Sequence, residues 1–325
     1  MGGGCAPNDI DCRKPLHRGI LIKSPASIAN LGPGFDILGL AVNKFFDTIR
    51  IEVTDDNSIN VTAEGAPNGN ENVAYHVAKY FQAKYCGDSI GLKINVRKGV
   101  PVSAGLGSSG ASSAGVAMGL FRVFSNKPRY NEVLEAAAEG EFAASSARHY
   151  DNIAASLLGG LVLVGYPSGL DILKITPPPI WLGILVMRIN GLRKTEYARR
   201  VIPRRLDLEH HVYQSSALAS LIASALIGDP VTFGKAITRD VVVEPFRKKM
   251  IPFYDQLKSK ALNCGALGFN ISGAGPSVFL VHNVREEAER IVLTLHDILR
   301  DENIESFPVV SRPDLDGVVV LDGSS

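Results

Sequence analysis

The chain has 325 residues, of which 46% are hydrophobic and 21% charged, and its formal net charge is +1. That balance is globular rather than disordered, the near-zero charge excludes a general polyanion binder such as a nucleic-acid coat, and the length suggests two domains. No apolar run approaches the roughly eighteen residues a membrane helix needs, so no membrane partner is expected.

Residues 1–18 carry Gly2-Gly3-Gly4, mixed charges and two prolines, with no apolar signal core. They read as a disordered arm or leader. The four cysteines, Cys5, Cys12, Cys86 and Cys264, form no C-x-x-C pair and no metal-ligand spacing. Reduced thiols in a cytoplasmic protein are expected. Ile20 to Ile22 is a short strand. From Ser24 to Asp36 two prolines and two glycines predict irregular structure. Yet Ile28, Leu31 and Phe35 are apolar, so this loop is half-buried and its backbone needs partners. Asn30 and Asp36 either cap a buried turn or face a ligand. Ile49, Ile51 and Val53 then alternate as a strand, and a hairpin-like turn at Asp55-Asp56-Asn57 leads to Ile59–Val61. A helix runs from about Asn70 to Cys86, with Asn72 placed to cap its start.

Leu92, Ile94 and Val96 alternate with Lys93, Asn95 and Arg97, a strand with one solvated face. It leads into Pro101–Gly115, with four glycines, five serines and no charge. Ser112 to Phe124 continues as a small-residue helix. Glycines let a backbone approach a ligand, and a helix N-terminus offers unpaired N–H groups with partial positive charge. Together they are the chemistry of a phosphate cradle. The Walker pattern fails, because no lysine follows these glycines. G-x-G-x-x-G matches at Gly105, Gly107 and Gly110, but a dinucleotide fold needs a strand apolar on both faces and a second parallel strand. A linker or a tight helix contact is the other reading.

Tyr130 to Ala147 is another helix, and it carries Glu141. By itself a glutamate there sits on a solvated face, and His149 reads as an exposed helix histidine. Leu161 to Tyr166 is a strand, Pro167-Ser-Gly169 a turn, and Pro177-Pro-Pro179 a break. An N-terminal domain is therefore expected over 19–170 and a C-terminal domain over 171–325. The second holds a strand at Leu182–Met187, a helix at His210–Ile227, and a strand–glycine turn–strand unit over Gly265–Val281. A helix at Arg285–Leu299 follows, and a last strand near Val318–Leu321 completes the domain. Arg200, Arg204 and Arg205 read as a solvated or subunit-facing surface.

Pro101-x-Ser-x-Gly-Leu-Gly-Ser-Ser-Gly-Ala-Ser112 resembles the phosphate loop of the GHMP small-molecule kinases. Pro25-Ala-Ser-Ile-Ala-Asn-Leu-Gly-Pro-Gly-Phe-Asp36 resembles the N-terminal motif of the homoserine-kinase branch. Thr195–Pro203 and Glu244-Pro-Phe-Arg247 resemble further stretches of that branch, and Ser272-Gly-Ala-Gly275 resembles the third GHMP motif, whose turn is implied to back the phosphate loop. The resemblance covers roughly residues 20 to 321. It implies an α+β fold: a ribosomal S5 domain 2-like domain, then a ferredoxin-like one, with the site in the cleft between. It implies that ATP is held by Pro101, Ser103, Ala104, Gly105, Leu106, Gly107, Ser108, Ser109, Gly110 and Ala111, with Asn72 near the base. Mg²⁺ would rest on Glu141 and Ser109, with Ser108 the alternative; hard oxygens suit it. Asn30, Asp36, Asn152, Arg199 and Arg247 would face L-homoserine, the arginines taking its carboxylate in planar bidentate fashion. Asn152, Arg199 and Glu141 would carry catalysis. An amide is no base at neutral pH, so the substrate hydroxyl is expected to attack directly, with a route through Asp151 or His149 open. The implied product is O-phospho-L-homoserine, in threonine biosynthesis, made by a cytoplasmic homodimer. Another GHMP kinase, or a non-catalytic metabolite-binding relative, is the rival expectation.

Overall fold

The computed structural model describes residues 10–87, 90–145, 147–165, 171–188 and 194–324. The turn expected at 167–169 and the first nine residues of the arm lie outside them. The first half comprises β1 (Gly19–Ala29), β2 (Leu38–Thr54), β3 (Ile59–Glu64), α1 (Val73–Phe81), β4 (Gly91–Arg97) and α2 (Ser108–Phe124). It continues with α3 (Tyr130–Ser145), α4 (Tyr150–Leu158), β5 (Leu161–Val164) and β6 (Ile172–Ile175). The second half comprises β7 (Trp181–Met187), α5 (Lys194–Arg200), α6 (Leu208–Ile227), α7 (Pro230–Ile237), α8 (Glu244–Arg247) and α9 (Tyr254–Asn263). It ends with β8 (Gly268–Ile271), β9 (Val278–His282), α10 (Arg285–Asp301), β10 (Ser306–Ser311) and β11 (Val319–Ser324).

Two sheets result. The first runs β11-β1-β2-β4-β3, with β5 on β2 and β6 on β5; the second runs β10-β7-β9-β8. One apolar core lies between the first sheet and α1–α4. Another fills the second sheet's far face against α9 and α10. A third joins the halves: Leu38, Leu40 and Leu161 of the first sheet share it with Leu182, Ile184 and Phe279 of the second.

Several expectations need correction. The 24–36 stretch is not irregular throughout, because β1 continues through Pro25 to Ala29. The register shifts between Pro25 and Ala26, so the missing proline N–H falls where the ladder is already broken. β2 and β3 form no hairpin. β4 lies between them, paired antiparallel to β2 and parallel to β3, since the connection passes through α1. The last strand does not complete the second domain; β11 pairs with β1 at the edge of the first sheet. β6, expected beyond the first domain, also extends that sheet through β5.

From residue 10 on, the arm is packed rather than disordered. Leu16 N–H donates to Val123 O at 2.8 Å, and Cys12 is buried. Cys12 and Cys86 form a disulfide, contrary to the expected reduced thiols. Spacing gave no sign of it, since the partners are 74 residues apart and meet only because the arm folds back.

The small residues of α2 have a packing cause. A methyl at Gly115 would lie 2.4 Å from Ile49 Cδ1, and one at Gly119 2.4 Å from Ile22 Cδ1. The helix therefore lies hard against β1 and β2, and overpacking either site costs about 1–3 kcal/mol.

Candidate active site

The loop before α2 turns through three left-handed residues, Ser103, Gly105 and Gly107. Helix α2 begins at Ser108, four residues earlier than expected, and no side chain caps its start. Its first-turn N–H groups are left for a ligand. The hydroxyl of Ser108 donates to Val100 O at 3.2 Å, whereas Ser109 is exposed on the same turn. The loop is backed from the second half. Ser272 Oγ donates to Gly105 O at 2.7 Å, and a methyl at Gly105 would lie 2.4 Å from Ser272 O. The Ser272–Gly275 turn therefore contacts the loop, as its motif implied.

Behind the loop lies a buried polar cluster that sequence reading missed. The Lys98 ammonium is paired with the Asp47 carboxylate and donates to Ser108 O and Ser112 Oγ, each at 2.8 Å. Burial lowers the Lys98 pKa below its ordinary value, even with Asp47 beside it. No local pattern marks these residues, because Asp47 comes from β2, Lys98 from the turn after β4, and Ser108 and Ser112 from α2.

The 30–36 loop folds over the other side. Asn30 is buried: its amide donates to Gly273 O at 3.1 Å, and its oxygen accepts from Asp36 N–H at 3.1 Å. Asp36 meets Arg199 in a bidentate pair, with N···O distances of 2.9 Å on both arms. Arg247 is buried, donating to Ala198 O at 3.1 Å and Gly273 O at 2.9 Å. Burial lowers its pKa to about 10, still charged at neutral pH. The Phe35 ring has both guanidinium groups near it, Arg199 at 5.5 Å and Arg247 at 5.1 Å from its centroid. Gly273 O is thus the point where the 30–36 loop, α8 and the turn behind the phosphate loop meet. Arg200, Arg204 and Arg205 are exposed.

Asn152 bridges the two sides. Its Oδ1 accepts from Ser27 Oγ at 3.0 Å and lies 2.6 Å from where a Gly107 Cβ would stand. A methyl at Gly110 would lie 3.0 Å from Asn152 Cβ. Glycine at both sites lets the first α4 turn approach the start of α2. Asp151 is 4% exposed, and burial, then the Asp36 charge, raises its carboxyl to about 6.

Glu141 is 2% exposed, not on a solvated face. Its carboxylate accepts from His149 N–H at 3.2 Å, with His149 Nδ1 3.6 Å from the other oxygen. His149 is half-buried, and its Nε2 has no hydrogen-bond partner among the described residues. Burial pushes the imidazole pKa down, but the Glu141 hydrogen bond and the Glu141 and Asp151 charges hold it above its ordinary value. Asn72 caps α1, accepting from Ala74 N–H at 2.9 Å and donating to Pro67 O at 2.7 Å. Among the described residues no three or more His, Cys, Asp or Glu gather around one point. A single buried carboxylate, Glu141, and an exposed hydroxyl, Ser109, are the types of hard oxygen a cation such as Mg²⁺ takes from protein when phosphate and water supply the rest.

The uncapped start of α2 and the two arginines are thus joined through the Gly273 turn, with Asn152 against the first turn of α2. Comparison with known proteins places the chain among kinases of one family. The family models described as GHMP kinases N terminal domain and GHMP kinases C terminal match residues 72–160 and 217–300. A homoserine kinase of Methanopyrus kandleri is 38% identical over 90% of this chain and 96% of its own. One of Thermoplasma volcanium is 34% identical over 83% of this chain and 86% of its own. A crystal structure of homoserine kinase from Cytophaga hutchinsonii superposes with a TM-score of 0.87 at 31% identity, covering 95% of this chain and 99% of that one.

Proposed function

Because the chain belongs to the GHMP kinase family, we propose that it transfers the γ-phosphoryl group of ATP to the side-chain hydroxyl of L-homoserine. The products are ADP and O-phospho-L-homoserine, a step in threonine biosynthesis. One observation carries the substrate assignment. The 30–36 loop, Arg199 and Arg247 converge within reach of the Asp151 charge, and the next residue, Asn152, touches the start of α2. A zwitterion fits there, its carboxylate to the arginines and its ammonium to Asp36. Mevalonate and sugars have no ammonium for Asp36.

Residues 101–111 cradle the ATP phosphates with backbone N–H groups and the α2 dipole. Asn152 holds the substrate hydroxyl in line. A bond forms from that oxygen to the γ-phosphorus as the bond to the β–γ bridging oxygen breaks, and the hydroxyl proton leaves to solvent. Positioning and charge neutralisation supply the rate. Glu141 and Ser109 would hold Mg²⁺, which supplies neutralisation of phosphate charge. The exposed Ser109 hydroxyl favours it over Ser108, whose hydroxyl is engaged with Val100. Asn72 borders the base site as the α1 cap.

The test is ADP release with Mg-ATP and L-homoserine, L-threonine, mevalonate, shikimate or galactose. Turnover with homoserine alone supports the reading. Turnover only with a non-amino-acid alcohol keeps the family and discards the arginine clamp. ATP binding without turnover on any of them favours a metabolite-binding role.

The protein is further read as a homodimer that pairs through α6. Residues 210–227 carry no Asp, Glu, Lys or Arg, yet Val212, Leu226 and Ile227 are exposed. Large residues at both ends and alanines between suit antiparallel packing against a second copy. Sedimentation of wild type and Ala219→Arg checks this, a monomeric wild type being the contrary result. Dependence on ATP supports a cytoplasmic location. No helix of the described residues is long and apolar enough to cross a membrane.

A further inference from the structure

We propose that Lys98 is a positioning residue for phosphoryl transfer, holding the first turn of α2 in the shape that receives the phosphates. The proposal rests on the phosphate-loop reading above. Lys98 stands one residue past β4, where the chain turns into the loop. Its side chain is 7% exposed and that of Asp47 is 0% exposed. An ammonium has three donors, and here they meet the Asp47 carboxylate, Ser108 O and Ser112 Oγ. Ser112 Oγ in turn donates to Asp47 Oδ2 at 2.8 Å. The other Asp47 oxygen accepts from Gly99 and Val100 N–H, each at 3.1 Å. One ammonium thus ties β2 and both ends of the loop to the first carbonyl of α2.

The charge arrangement has a purpose that packing alone does not supply. Asp47 is needed to satisfy two buried N–H groups at the loop entrance. Left alone, that carboxylate would sit behind an anion site and oppose the phosphates. Lys98 cancels it and reaches past it to Ser108, leaving the helix N–H groups aimed at the ligand. A Walker loop brings its lysine from the helix after the glycines. Here the lysine comes from the strand before them, and acts on the loop's shape rather than on the phosphates.

A purely structural ion pair is replaceable. Neutralising both partners restores a buried pair's contribution, whereas removing one leaves a costly unpaired charge. The experiment therefore compares wild type, Lys98→Arg, Lys98→Met, the double variant Asp47→Asn/Lys98→Met, and Gly107→Ala. Each is measured for thermal stability, kcat, and KM for ATP and for L-homoserine. Expected for the double variant is recovery of stability while KM for ATP stays raised about tenfold or more, the loss of one charge-assisted hydrogen bond. KM for homoserine should stay near wild type, and Lys98→Arg should retain part of the ATP affinity. Wild-type stability and wild-type KM for ATP together in the double variant would overturn the proposal. The double variant decides even where Lys98→Met alone does not fold, since it leaves no unpaired buried charge. Gly107→Ala separates the two readings, because its methyl would lie 2.1 Å from Ser27 Oγ inside the loop. An unchanged KM for ATP there removes the phosphate-loop reading itself. An impaired Gly107→Ala beside a wild-type-like double variant removes only the role of Lys98.

Discussion

Arg199 and Asp36 are 163 residues apart in sequence and meet through two N···O contacts of 2.9 Å. The pair joins α5 to the loop after β1 and closes over Phe35. Both side chains are partly exposed, 51% and 29%, so the pair contributes about 0–1 kcal/mol and opens at little cost. A zwitterion can part it, giving each residue a new partner of the same charge type as the old one.

Arg199→Lys keeps the charge and loses the fork. KM for homoserine should rise about tenfold or more, with KM for ATP unchanged. Steady-state kinetics with each substrate varied in turn checks this. Equal rises for both substrates would move Arg199 out of the carboxylate clamp.

Glu141→Gln is nearly isosteric and removes the charge. Turnover should fall about a hundredfold or more while most of the homoserine affinity survives. Calorimetric titration of homoserine, beside ADP release over a range of Mg²⁺ concentrations, reads both quantities. Intact turnover would remove Glu141 from the metal site.

Asp151 predicts a pH-dependent stability. Its folded pKa of about 6 lies above the ordinary 3.8, because burial disfavours the charged form. The folded chain therefore holds this proton more tightly than the unfolded chain. The stabilisation is fully present below about pH 4 and is lost as pH rises through about 6. Asp151→Asn should be more stable than wild type above pH 6, by up to about 2–3 kcal/mol, with the difference shrinking toward pH 4. Urea denaturation at several pH values measures it. The same variant should keep most of its kcat if the hydroxyl attacks directly, whereas a loss of about a hundredfold or more would make Asp151 the base.

The Cys12–Cys86 disulfide closes a loop of 74 residues in sequence separation and pins the arm to the end of the α1 segment. Cys12→Ser should cost about 2–4 kcal/mol, read as a lower Tm, and reductant should lower the wild-type Tm to match. No response of wild type to reductant would show the thiols already free.

The loop over 101–107 was legible because its chemistry is local. A run of glycines and serines before a small-residue helix announces a tight turn into that helix in one stretch. The alternation of β4 was legible too, since a face that meets one core repeats along the chain. Pro25 misled for the same reason: its local preference is for a break, and only the pairing with β2 shows that the strand resumes past it, after three unpaired residues of β2. β3 misled because sequence neighbours usually pair, and only the crossover through α1 puts β4 between them.

The sequence by itself determined the family, the glycine-rich loop that opens α2 and the polar groups proposed for the site. Each of these is written in contiguous residues, whose backbone preferences and side-chain chemistry act at short range. The tertiary structure decided which of those groups meet. Lys98 with Asp47, Arg247 with Gly273 O, Cys12 with Cys86, and β11 with β1 are separated by 26 to about 300 residues. A hydrogen bond or ion pair reaches only a few ångströms, so a pairing across such distances is set by how the sheets and helices pack.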